Sequence, residues 1–219
     1  CRYRIPGGQR YRLPSHLTVE GDWSSAAFFL CAGAMSREGI AVDGLSLPTR
    51  QGDSALLPLL RQMGAEINLS SGCITVRKGR LRATDIDARP IPDLIPPLSV
   101  LAAAAEGGSH IQNARRLRYK ESDRLQGIAE LLNSLGGCLT VDGDGLLIHG
   151  VSHLQGGTVD PMGDHRLAMS AALAALSADA PVTVRDADCV SKSYPAFWAD
   201  FQSLKGEAPC PAPSETPFV

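Results

Sequence analysis

Long hydrophobic runs are missing from this 219-residue sequence. No stretch approaches the roughly 20 apolar residues that a membrane-crossing helix needs. The start, Cys-Arg-Tyr-Arg-Ile-Pro-Gly-Gly, lacks the apolar segment of a signal peptide. Closely paired cysteines are missing too: Cys1, Cys31, Cys73, Cys138, Cys189 and Cys210 are scattered. This excludes a zinc knuckle, a Cys-x-x-Cys redox motif and a dense disulfide framework, and it predicts reduced thiols in a cytoplasmic protein. Charge of one sign is not in excess either. With 21 Lys plus Arg against 23 Asp plus Glu, nothing draws the chain as a whole to nucleic acid or an anionic membrane, and any anion site must be local. What remains is a globular composition, 44% hydrophobic and 20% charged, long enough to bury its own core. The first residue is Cys1 rather than Met, so the sequence is expected to be part of a longer protein.

Residues 1–15 are basic and broken by Pro6, Gly7, Gly8 and Pro14, which predicts an interdomain crossing rather than a core element. A strand is expected over 16–20. Asp22 then opens an apolar helix over 23–35, followed by a strand over 40–45, a polar turn over 48–53, an amphipathic helix over 54–63 and a hairpin over 66–77. The same order recurs. Asp93 opens a second apolar helix up to residue 105, with a strand over 109–114, a charged turn over 120–124, a helix over 125–135 and a hairpin turning at Asp142-Gly143-Asp144-Gly145. A third, shorter copy has a helix over 166–176, a strand over 182–186 and a helix over 196–204. The tail, 206–219, is Pro-rich and predicted to be disordered.

Asp22, Asp93 and Asp164 are spaced 71 residues apart. A basic residue follows each at nearly one interval: Arg50, Lys120 and Lys192. Self-similarity at a fixed period means repeated units sharing one core. The predicted fold is α/β, three βαβαββ repeats over about 16–79, 80–150 and 151–205 within one domain, 16–205. The first helix of each copy is apolar nearly all round, so these helices should be buried and parallel, with the sheets outside. Helix N-termini then converge at one end of the domain, and a convergent set of them favours anions.

The chemistry sits at those ends. Lys120, Glu121, Asp123 and Arg124 crowd the turn before one helix, where a solvated helix start would be the plain reading of that motif alone. Gly163-Asp164-His165-Arg166 and Ser191-Lys192-Ser193-Tyr194-Pro195 each bring a further cation to a helix start. An Arg can fork onto a carboxylate or phosphate, and a Lys acts as a mobile point charge. His165 is as readily structural as catalytic. Asp93 is either an N-cap or, with a substrate hydroxyl in reach, a base.

Taken together, Leu117-Arg-Tyr-Lys-Glu-Ser-Asp-Arg-Leu125, Gly163-Asp-His-Arg-Leu-Ala-Met169 and Ser191-Lys-Ser-Tyr-Pro195, in that order and spacing, closely resemble the 3-phosphoshikimate 1-carboxyvinyltransferase (5-enolpyruvylshikimate-3-phosphate synthase) family. Val19-Glu-Gly-Asp-Trp-Ser-Ser25 and Gln51-Gly-Asp53 fit it too, and the match spans about 7–205. The resemblance implies the inside-out α/β barrel of the enolpyruvyl transferases. It also implies transfer of the carboxyvinyl group of phosphoenolpyruvate to the 5-hydroxyl of shikimate 3-phosphate with release of phosphate, as in aromatic amino-acid biosynthesis, with no metal or organic cofactor. By position, Arg124, Arg166 and Lys192 would hold phosphoenolpyruvate, and Asp93 with Lys120 would hold shikimate 3-phosphate. Asp93 would accept the hydroxyl proton, Glu121 would move a proton at the methylene carbon, and His165 would be accessory. Arg116 stands where many relatives carry Asn or another polar residue that helps bind the shikimate ring, so that role is not transferred.

Family members have two such domains. This chain would be the C-terminal one, its partners being the two small substrates and the missing N-terminal domain, which supplies a catalytic Lys. Alone it should be nearly inactive, and the parent is expected to be a cytoplasmic monomer that binds neither nucleic acid nor membrane. The alternatives are a UDP-N-acetylglucosamine 1-carboxyvinyltransferase-like enzyme and a noncatalytic anion-binding or interaction domain.

Overall fold

The computed structural model describes residues 2–70 and 72–204. The predicted disorder of 206–219 concerns residues outside that set. The first unit holds helix α1 (Trp23–Met35), strand β1 (Ile40–Asp43), helix α2 (Leu56–Gln62) and the hairpin β2 (Glu66–Ser70) and β3 (Cys73–Arg77). The second unit runs β4 (Ile86–Asp87), α3 (Ile95–Ala103), β5 (Gly108–Gln112), α4 (Arg124–Ser134), β6 (Cys138–Asp142) and β7 (Gly145–His149). The third has β8 (Gly157–Val159), α5 (His165–Ala174), β9 (Val182–Val184) and α6 (Phe197–Ser203).

Helices α1, α3 and α5 form the interior and pack against one another. Residues 26–34 of α1 and all of α3 are buried, as uniformly apolar helices must be. Pro96 and Pro97 fall in the first turn of α3, where no intrahelical N–H bond is lost. Gly33 lets α1 approach the outer sheet closely, because a Cβ there would stand 2.6 Å from the Val76 carbonyl oxygen. Outside lie sheets ordered β1-β3-β2, β4-β5-β7-β6 and β8-β9. A second apolar cluster, with Phe28 and Phe29 of α1 edge-on to Phe197, fastens α6.

Among the described residues only the second unit shows all of βαβαββ. The strand expected over 16–20 does not form. A strand exists through the ladder it joins, and this segment joins none: Leu17 and Val19 are 63% and 83% exposed. Conversely β4 and β8, too short to show alternation, pair in parallel with β5 and β9. Asp93 does not cap α3. It sits in a 3-10 turn, Pro92–Leu94, with its side chain turned to Lys120 and Arg124. No described helix is long and apolar enough to cross a membrane.

Candidate functional site

Asp123 caps α4 through the Gln126 backbone N–H, which leaves Arg124 as the first helical residue, its side chain directed inward. That side chain is only 1% exposed. Its Nε donates to Asp164 Oδ2 at 2.8 Å, Nη1 to Asp93 Oδ1 at 2.9 Å and Nη2 to Glu121 Oε2 at 2.6 Å. One guanidinium thus joins three carboxylates, using the planar fork that Lys lacks.

The remaining cations attach to the same carboxylates. Lys120 Nζ donates to Asp93 Oδ1 at 2.9 Å, and Arg166 Nε lies 3.7 Å from that oxygen. Lys192 Nζ reaches Glu121 Oε1 at 3.1 Å, across the 71 residues of one repeat, while remaining 58% exposed. Lys120, Arg124, Arg166 and Lys192 therefore meet around Asp93 and Glu121. Arg50 does not join them: it is exposed, and no hydrogen bond or ion pair links it to the set.

The carboxylates carry the electrostatic signature of this crowding. Burial opposes the charged form of Asp93, but Arg166, Lys120 and Arg124 outweigh it and hold its pKa below the ordinary value. Partial burial likewise opposes the charge on Glu121. A backbone hydrogen bond, Arg124 and Lys192 prevail, and its pKa falls to about 2. Both are bases at neutral pH. His165 is 4% exposed. Burial, then the neighbouring Arg166, lowers its pKa and keeps the ring neutral, and its Nδ1 has no hydrogen-bond partner among the described residues.

Asp164 is the residue that motif reading undervalued. It is fully buried, forks onto Arg124, accepts from Ser122 Oγ at 3.1 Å and caps α5 through the Arg166 N–H at 2.9 Å. Its sequence signals are its place one repeat after Asp93 and in the Gly163-Asp164-His165-Arg166 motif, where the cation draws the attention. Ser24 and Asp53 form a further hydrogen-bonded pair, and burial pushes the Asp53 pKa up. The Ser24 carbonyl lies 3.5 Å from Arg166 Nη1. Gln51 pins this end of α1, accepting from Trp23 N and donating to the Gly21 carbonyl. Arg116 is exposed, 3.5 Å from the Arg89 carbonyl, at a different pocket. Among the described residues no group of three or more His, Cys, Asp or Glu is arranged to hold a metal ion.

The family model for EPSP synthase (3-phosphoshikimate 1-carboxyvinyltransferase) matches residues 2–201. The chain belongs to the EPSP synthase family. The 3-phosphoshikimate 1-carboxyvinyltransferases of Clostridium kluyveri and Clostridium acetobutylicum are 42% and 46% identical to it over 203 residues. That of Methanocella arvoryzae is 45% identical over 204 residues. These alignments take up 92–93% of this chain but 46–48% of each relative. The chain thus spans about half the length of the curated relatives it matches. A solved EPSP synthase from Acinetobacter baumannii superposes with a TM-score of 0.75 at 30% identity, covering 87% of this chain and 47% of that one. In EPSP synthase terms, the charged end of this domain is assembled from the second and third repeats, and α1 of the first contributes its N-terminal edge.

Proposed function

We propose that this chain is one half of an EPSP synthase, transferring the carboxyvinyl group of phosphoenolpyruvate to the 5-hydroxyl of shikimate 3-phosphate. The observation that carries the reading is the meeting of four cations, from three separated motifs, around Asp93 and Glu121. Both substrates are anionic, and fixed cations in a partly dry site stabilise charge that develops during addition. In this reading Arg124, Arg166 and Lys192 face the phosphate and carboxylate of phosphoenolpyruvate, and Lys120 faces shikimate 3-phosphate. Asp93, held ionised, takes the proton of the 5-hydroxyl as its oxygen bonds to C2 of phosphoenolpyruvate. C3 gains a proton to become a methyl group, giving a tetrahedral intermediate. Loss of a methyl proton and departure of phosphate restore the double bond.

Glu121 is the group for the proton steps at C3. With a pKa near 2 it is a base when the site holds no substrate. An anion that draws Lys192 and Arg124 toward itself would remove what lowers that pKa, moving Glu121 toward the protonated form that a donor requires. His165 is accessory, and as a neutral ring it adds no charge to repel cations.

The test is phosphate release from phosphoenolpyruvate plus shikimate 3-phosphate. It is measured for the 219 residues alone and after adding the half of the Clostridium acetobutylicum enzyme that they do not cover. Negligible turnover alone and measurable turnover with the added half are expected. Turnover by the chain alone would overturn the division of labour. Unchanged turnover of the complemented Lys120→Ala, Arg124→Ala, Arg166→Ala and Lys192→Ala variants would overturn the site.

A further inference from the structure

At the period of 71 residues, Asp53 of the first unit holds the place of Arg124 in the second, and Ser24 the place of Arg166 in the third. Arg124 reaches forward 40 residues to the carboxylate of Asp164. The same step forward from Asp53 ends on Asp93, so the first unit offers a carboxylate where the second offers an arginine. Two half-buried carboxylates brought near one another need a cation within reach of both. Arg166 is that cation: its Nε lies 3.7 Å from Asp93 Oδ1, and Asp53 is within electrostatic reach of both Asp93 and Arg166.

Arg166 is held differently from Arg124. Arg124 grips three carboxylates at 2.6 to 2.9 Å. Among the described residues the Arg166 guanidinium makes one hydrogen bond, from Nη1 to the Ser24 carbonyl at 3.5 Å, and its side chain is 12% exposed. Its fork is therefore left free for an anion, and its direction has to come from what surrounds it. Ser24 supplies one such contact and is itself fixed, because its Oγ donates to Asp53 Oδ2. Asp53 lies in the 3-10 turn Gly52–Ala55, whose leading residue Gln51 binds the backbone of Gly21 and Trp23 at the same end of α1. Among the described residues the Asp53 side chain hydrogen-bonds to Ser24 alone.

We propose, resting on the reading of this chain as half of an EPSP synthase in which Arg166 faces phosphoenolpyruvate, that Asp53 is a positioning residue for Arg166. It acts by fixing the Ser24 edge of α1 and by adding a second negative charge, beside that of Asp93, within reach of the guanidinium. The arginine is then aimed before the anion arrives. A direction set in advance lowers the cost of binding rather than the barrier that follows it.

The chain complemented with the half it lacks, as above, tests this. Asp53→Ala and Ser24→Ala should each raise the KM for phosphoenolpyruvate about tenfold, the size of one hydrogen bond to a charged group, with a smaller change in kcat. Ser24→Thr, which keeps the hydroxyl, should bring the KM back, and Asp53→Asn, which keeps the acceptor but not the charge, should recover part of it. In the 219-residue chain alone, the NMR signal of the Arg166 Nε–H, assigned through Arg166→Lys, should move on Asp53→Ala while that of Arg124 stays. If Arg166→Ala raises the KM for phosphoenolpyruvate and Asp53→Ala does not, the positioning role is overturned and the site stands. A fall in kcat at unchanged KM in Asp53→Ala would overturn it too. Absence of turnover in the unaltered complemented enzyme would count against the EPSP synthase reading, and an Arg166 signal indifferent to Asp53→Ala would still decide against Asp53.

Discussion

Asp22 and Asp164 occupy one place in the repeat and do the same local work, yet they differ in consequence. Each caps an inner helix: Asp22 accepts from the N–H groups of Ser24 and Ser25, and Asp164 from that of Arg166. Asp22 is exposed and does little more, whereas Asp164 is fully buried and grips a buried arginine. The repeat thus preserves the cap, and the neighbouring unit decides whether the cap becomes part of a charged site. Lys192 joins that site in the same way, since it and Glu121 hold one position in successive repeats and bond to each other.

The comparison is broken most directly by removing each carboxylate. Asp164→Ala leaves Arg124 buried with its main partner gone and should cost about 3–5 kcal/mol, whereas Asp22→Ala loses a cap and should cost about 1 kcal/mol. Urea unfolding measures both. Equal losses would mean that the two positions are alike after all. The double variant Asp164→Ala/Arg124→Ala should cost less than the sum of the single ones, because the second change removes a charge already stranded.

A smaller effect sharpens the electrostatic side. The Glu121 pKa is depressed from 4.5 to about 2, so its contribution is present above its unfolded value and is lost as pH falls from about 4.5 through about 2. Stability should therefore decline over that window in the unaltered protein and decline less in Glu121→Gln, as read from thermal unfolding at a series of pH values. The smallest effect concerns the matched cations Arg50 and Lys192. Replacing either by Ala should change stability by less than about 0.5 kcal/mol, since exposed pairs contribute little. In the complemented enzyme, only Lys192→Ala should weaken phosphoenolpyruvate binding, seen as a raised KM.

Much of this was legible in the residues. The three inner helices follow from uniform apolarity, the outer ones from amphipathic spacing, and the turn at 142–145 from its glycines. The cation-bearing motifs could be named because Lys120, Arg124, Arg166 and Lys192 all precede or begin helices. The strand over 16–20 was misread because alternation signals that a segment could pair, not that a neighbour is in reach. Two- and three-residue strands such as β4 and β8 leave no periodic trace, being defined by β5 and β9 rather than by themselves. Asp93 was open between cap and base; its turn away from the helix axis is set by Lys120, 27 residues on, and Arg124, 31 residues on.

By itself the sequence determined the repeat, the burial of the inner helices and the identity of the charged groups, because hydrophobic period and residue chemistry are local properties. Tertiary structure alone decided that Arg124 is buried, that Asp164 holds it and that Asp93 and Glu121 share four cations. Those outcomes depend on which side chains from different repeats compete for the same few ångströms of low-dielectric space, and neither spacing nor composition encodes that competition.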